Sequence, residues 1–265
     1  MRFFITDLDK TFLRSDLSIS DFSKKVWNAF DLPLSVATAR SLKGATTLLK
    51  GLRLDHPMIL LDGAMIATKD EIIKINAIDK DLGDAIIADI DERFGTLPLV
   101  VGLEDHKERF LYPERLNEHQ KMLLQKYRND DRVLGLKKLR ALPHNLKIVY
   151  LGDEEEMRRL QAFVKEHYDV ETKLSEDPYQ PSWFLTLLHP KGDKAHGLRE
   201  LERIVGVEPK DVTVFGDSHN DIGMFGLSGR ALAVKNALPE VKEAADAVLP
   251  HTNDEDAVAR YLAAL

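Results

Sequence analysis

Two carboxylates one residue apart close an apolar run near the amino terminus, Arg2-Phe3-Phe4-Ile5-Thr6-Asp7-Leu8-Asp9-Lys10-Thr11. A parallel strand buried on both faces reads as such a run, and ligands in open α/β sheets bind beyond the carboxyl ends of these strands. Side chains two residues apart on an extended chain share a face, so Asp7 and Asp9 point the same way. One can attack an electrophile while the other handles a proton or helps hold a cation. That division of labour suits phosphoryl transfer. A second apolar run, Asp211-Val212-Thr213-Val214-Phe215-Gly216, leads into Asp217-Ser218-His219-Asn220-Asp221. Gly216 is expected to permit a tight backbone turn, and the oxygen-bearing side chains after it suit a hard cation. Magnesium in such sites is held by one or two carboxylates plus waters and substrate phosphate, so Asp217 and Asp221 could complete what Asp7 begins. The same residues could also simply cap a helix that starts near Asp221.

Strand-like and helix-like stretches alternate around these groups, the pattern of a parallel sheet flanked by helices. Strands are predicted near 2–8, 34–38, 57–61 and 212–216, and helices near 19–30, 41–51, 194–205 and 237–245. The fold class is α/β: a doubly wound, parallel-sheet, Rossmann-like core with an inserted α+β domain. The core halves are 1–80 and 187–265, and the insertion is 81–186. Within it, helices are predicted around 82–94, 116–127 and 154–167, and strands around 97–103, 109–112, 146–151, 170–174 and 183–188. Asp79-Lys80-Asp81 and His189-Pro190-Lys191-Gly192 are polar or turn-forming, as junctions are.

Composition narrows the function further. The chain has 265 residues, long for a single core, and a net charge of 37 − 44 = −7. With no dense basic block, nucleic acid is not an expected partner. Zero cysteines exclude disulfides and thiolate catalysis and suit a reducing compartment. The amino-terminal apolar stretch is too short for a secretory signal, and nothing approaches 18 uninterrupted apolar residues. The expectation is a cytoplasmic protein with no membrane partner, its oligomeric state open.

The motifs together resemble the haloacid dehalogenase superfamily, in particular its Cof-type phosphatases. There the first motif reads Asp-x-Asp-Gly-Thr and the fourth Gly-Asp-x-x-Asn-Asp, with a strand-terminal Thr or Ser and then a Lys between them. Leu34-Ser35-Val36-Ala37-Thr38-Ala39-Arg40 resembles the family's Thr-Gly-Arg segment, and His189-Pro190-Lys191-Gly192-Asp193-Lys194-Ala195-His196-Gly197-Leu198 the segment that carries its Lys. Lys194 is the better match for that Lys, with Lys191 a nearby competitor. Agreement extends through Ala233-Val234-Lys235-Asn236-Ala237, Val241–Asp246 and Thr252-Asn253-Asp254-Glu255-Asp256. Three departures stand out: Lys10 and Ala257 each replace a usual Gly, and Asp62-Gly63-Ala64 replaces Asn-Gly-Ala. Lys10 implies an ordinary backbone angle, or a side chain aimed at the rim of the cleft. Asp62 is expected to serve the turn.

The resemblance implies that Asp7 attacks phosphorus and that Asp9 first protonates the leaving alkoxide, then deprotonates a water. It implies phosphate binding by Thr38, Arg40, Lys194 and Asn220. Magnesium (Mg2+) would be held through the Asp7 carboxylate, the Asp9 carbonyl and Asp217, with Asn220 and Asp221 orienting its outer shell. The inserted domain becomes a cap that sets specificity, and the substrate a small phosphorylated metabolite such as a sugar phosphate or phosphorylated glycoside. Cap residues with suitable chemistry are His106, Arg109, Tyr112, Arg140, Tyr179 and Trp183, although each alone reads more simply as surface or packing. Two other classes remain open. A phosphosugar mutase would use the same Asp7 and Asp9 but shield the aspartyl-phosphate from water, and a noncatalytic phosphate-binding regulator would be expected to lack one of Asp7, Asp9 or Asp217.

Overall fold

Every residue of the strand Phe3–Thr6 is buried, and each Phe or Ile side chain so placed stabilises the fold by roughly 2 kcal/mol. The structure is a computed structural model that describes residues 2–177 and 181–265. Phe3–Thr6 lies inside a five-stranded parallel sheet, between Val212–Gly216 on one side and Leu34–Val36 on the other. Arg230–Ala233 and then Ala247–Val248 extend the sheet beyond Val212–Gly216. The chain has an α/β fold with a parallel sheet. A parallel bridge from Ala37 to Ile59 brings in the strand Met58–Leu60, which also forms an antiparallel sheet with Met65–Ala67 and Ile72–Ile75.

The helices begin where the sequence offers caps. Ser20, Ser41 and Asp193 accept backbone N–H groups at the starts of Asp21–Ala29, Leu42–Leu48 and Lys194–Val205. The last of these ends at Gly206, in the left-handed region at φ 70°, where a side chain would be strained. Its face of Lys194, Gly197, Leu198 and Leu201 is buried, and a Cβ on Gly197 would come within 2.6 Å of Ile59. The helix His219–Phe225 is the one whose start near Asp221 the sequence left as an alternative, whereas the strands Arg230–Ala233 and Ala247–Val248 and the helix Ala257–Ala263 were not expected. Each spans seven residues or fewer, too short for a periodic pattern to register.

The chain divides into two units, one of residues up to Ile75 together with Asp193–Leu265, the other Asn76–Gly192. These junctions lie outside the expected 80/81 and 186/187. The shift has a physical cause: Ile78–Asp79 pairs with His144–Gly152, and Trp183–Leu188 runs between His144–Gly152 and Glu171–Glu176, so both flanks belong to the second unit's sheet. That sheet has seven strands, antiparallel except where Lys107–Pro113 meets Val133–Leu136. The helices Lys80–Phe94 and Glu154–His167 pack Ile86, Ile90, Met157 and Leu160 against Ile148, Tyr150, Leu185 and Leu187. In this unit Arg140 pairs with Glu104 at 2.8 Å, the Arg158 guanidinium lies over the Trp183 ring, and the Tyr112 ring fills the space a Cβ on Gly135 would need. Tyr179 lies outside the described residues. Among the described residues, no helix is long and apolar enough to cross a membrane.

Candidate functional site

Parallel pairing of Thr6 with both Val36 and Phe215 brings three strand ends side by side. Asp7 follows one, Thr38 another and Asp217 the third, which is the carboxyl-end location expected of an open α/β sheet. Backbone hydrogen bonds hold the alignment: the Asp7 N–H donates to Phe215, and the Ala37 N–H to Thr6. Thr38 is fully buried, and its hydroxyl accepts from the Arg40 N–H at 3.2 Å.

Lys194 is the hub. Its side chain is buried, and Nζ donates to Asp7 Oδ1 at 2.6 Å and to Asp221 Oδ1 at 2.8 Å. Lys191, the competing lysine, belongs to the second unit and is exposed, with its N–H donating to the His189 ring. The other oxygen of Asp221 accepts from the Asp217 and Ser218 N–H groups, so Asp221 begins the helix His219–Phe225 and anchors the lysine at once. The capped helix start and the acidic cluster are therefore one structure. Gly216 serves it by space rather than by a turn: its φ is not positive, and a Cβ there would fall 2.6 Å from the Asp221 carboxylate.

Burial dominates the electrostatics. It pushes the Asp7 carboxyl well above the ordinary range against the pull of Lys194, and Asp221 and Asp217 push it further. Asp217 is raised to about 6 by burial and by Asp221, although the Thr11 hydroxyl, Lys194 and Lys10 oppose the rise. Burial favours the neutral amine of Lys194, yet Asp221, Asp7 and Asp62 hold its proton more tightly than usual. Negative charge is in excess. Asp7, Asp217 and Asp221 offer oxygens that all lie within 4.8 Å of one another, a donor set that fits a hard divalent cation. The Asp9 carboxylate stands outside this group. Arg40 grips it with two bonds, Nε to Oδ2 at 2.7 Å and the terminal nitrogen to Oδ1. Arg40 thus joins Asp9 as well as neighbouring Thr38, a pairing that nothing in the sequence signals.

Two residues escaped the sequence reading in their roles. Thr11, the last residue of the first motif, is buried and donates to Asp217 Oδ1 at 2.8 Å. Asp62, read as a turn residue, is 3% exposed and accepts from the Asn220 side-chain amide at 2.9 Å. The contact spans 158 positions of chain, so only an acidic residue in place of Asn hinted at it.

Of the two readings of Lys10, the ordinary backbone angle is not the one adopted. Its φ is 59°, in the left-handed region that favours the Gly it replaces, whereas Ala257 lies within a helix and needs no such freedom. A left-handed angle costs a side-chain-bearing residue about 1–2 kcal/mol, partly offset by the greater chain entropy that glycine loses on folding. Lys10→Gly is therefore expected to raise the melting temperature by roughly 2–4 °C in a calorimetric scan. An unchanged or lowered value would mean that the Lys10 side chain contributes as much as its backbone costs.

The profile of haloacid dehalogenase-like hydrolases matches residues 4–262. The chain belongs to that family. It is 27% identical to a Bacillus subtilis 5-amino-6-(5-phospho-D-ribitylamino)uracil phosphatase over 99% of this chain and 97% of the relative. An Enterobacter HMP-PP phosphatase is also 27% identical, over 89% of this chain and 84% of its own length. With the first curated relatives, from Haemophilus influenzae and Bacillus subtilis, the chain spans about half of their length, 43% and 47%. Among solved structures, a Bacteroides thetaiotaomicron haloacid dehalogenase-like hydrolase superposes with a TM-score of 0.81 at 20% identity, covering 99% of this chain and 98% of that one. A subclass IIB sugar phosphatase gives 0.76 at 20% identity over 100% and 98%. At these identities the likeness speaks for the shared fold.

Proposed function

We propose that this haloacid dehalogenase-like hydrolase is a phosphatase of small phosphorylated metabolites, with Asp7 as nucleophile and Asp9 as acid and base. The observation that carries the reading is the buried ammonium of Lys194 joining Asp7 to Asp221 beside Asp217. With Asp7 Oδ1 engaged by Lys194, Oδ2 attacks phosphorus in line. The phosphorus–ester oxygen bond breaks, and Asp9 delivers a proton to the leaving alkoxide. Asp9 then takes a proton from water as that water attacks the aspartyl-phosphate, which releases inorganic phosphate and restores Asp7. Arg40 supports both halves: it orients Asp9, and a phosphate dianion competes for the same guanidinium. Thr38 and Lys194 add donors for the phosphate oxygens. Asp7, Asp217 and the Asp9 carbonyl would hold magnesium, with Asp221 and Asn220 orienting its outer shell, and the cation would supply charge neutralisation for an anionic substrate among carboxylates.

The names of the relatives support a substrate class and no single compound: an HMP-PP phosphatase, a phosphoribitylamino-uracil phosphatase and a sugar phosphatase share a compact organic group carrying phosphate. Residues 76–192 are the proposed specificity cap. A cysteine-free chain with these metabolites as substrates would work in the cytoplasm.

The test is a phosphate-release screen over phosphorylated metabolites. Magnesium should support turnover, exhaustive chelation should abolish it, and calcium should inhibit, because its longer bonds position the nucleophile poorly. Full activity after chelation would remove the metal role from Asp217.

A further inference from the structure

Three consecutive residues, Leu61, Asp62 and Gly63, have positive φ, at 52°, 62° and 113°. Two of them carry side chains, and left-handed angles at such residues persist only where the surroundings enforce them. The surroundings here are the site itself. The Leu61 N–H donates to the Arg40 carbonyl and the Asp62 N–H to the Thr38 carbonyl, both at 3.0 Å. A Cβ on Gly63 would lie 2.0 Å from the Asp193 carbonyl, so the loop also abuts the start of the helix that carries Lys194. The Asp62 side chain supplies the remaining link. From it a chain of hydrogen bonds runs through the Asn220 amide at 2.9 Å, the Ser218 hydroxyl at 2.6 Å, and the Ser218 N–H on Asp221 at 3.2 Å, then through Lys194 to Asp7.

On the phosphatase reading above, we infer that Asp62 is a positioning residue for the reaction: it fixes Asn220 and, through it, the Asp217–Asp221 turn against Lys194 and Asp7. Asp62 works through its bond to Asn220. It acts from a loop that also sets the Thr38 and Arg40 backbones, so a single strained turn registers three separately encoded segments. Outer partners of this kind change metal affinity or activity by about 10- to 100-fold when removed.

Two substitutions that tolerate φ near 62° separate the hydrogen bond from the fold. Asp62→Asn keeps an oxygen for the Asn220 amide, and Asp62→Gly removes it without backbone strain. Turnover of an activated aryl phosphate with magnesium is measured beside thermal unfolding and the NMR signals of the Asn220 side-chain amide. Asp62→Gly is expected to lower kcat by about 10- to 100-fold with KM within about threefold. Its Asn220 amide protons should lose their protection from exchange. Asp62→Asn should retain kcat within about threefold and keep those protons protected. A purely structural residue would lower the melting temperature of Asp62→Gly and leave kcat of the folded enzyme unchanged; that result overturns the proposal, as do unaltered Asn220 signals. A wild-type protein that releases no phosphate overturns the phosphatase reading itself, which the Asp62 variants leave untouched.

Discussion

Asp7→Asn is expected to lower turnover by about four orders of magnitude or more, since a covalent route lost at its first step leaves only binding and positioning behind. The substitution is nearly isosteric, and it removes one of three crowded, buried carboxylates while Lys194 keeps its bond to Asp221. Stability should therefore hold or rise slightly. Phosphate release and a thermal melt on the same preparation separate the two effects. Near-normal turnover with a purified metabolite would make the nucleophile assignment wrong.

The second large effect is expected at Lys194. Lys194→Met keeps the apolar stem and deletes the ammonium, which leaves Asp7 and Asp221 facing each other across a buried space without their shared cation. Breaking a buried ion pair from one side costs about 3–5 kcal/mol, so the melting temperature should fall by roughly 6–20 °C. Turnover should fall at least about 1,000-fold, because on the proposed mechanism the nucleophile loses its anchor and the phosphate a donor. Lys191→Met, at an exposed lysine of the second unit, should change neither quantity by much. A variant at 191 with the larger loss would exchange the two assignments.

The acidic motifs were legible because chemistry and local geometry coincide in them. Asp7 and Asp217 each follow an apolar run that reads as a buried strand, and the sheet sets those strands side by side. Lys194 was findable only through family resemblance, since an isolated lysine is ordinarily a solvated one and its burial depends on partners far along the chain. The grip of Arg40 on Asp9, the contact of Asp62 with Asn220 and that of Thr11 with Asp217 are tertiary facts of the same kind. The backbone angle of Lys10 was hidden for a different reason. Residue type states a preference for φ, and here the turn between Asp9 and Thr11 overrides it.

The parallel pairing of Phe3–Thr6 with Val212–Gly216 also sets a timetable for synthesis. At ribosomal rates of about 5–20 residues per second, roughly 200 residues of translation, or some 10–40 s, separate the emergence of the two strands. Throughout that interval one edge of an apolar strand lacks its neighbour, and such an edge recruits other chains. Asn76–Gly192, whose sheet draws on no residue outside it, can fold in the meantime. The nascent protein is thus half folded until Val212–Gly216 leaves the ribosome, and its yield in a cell should respond to chaperone supply more than its purified stability would suggest.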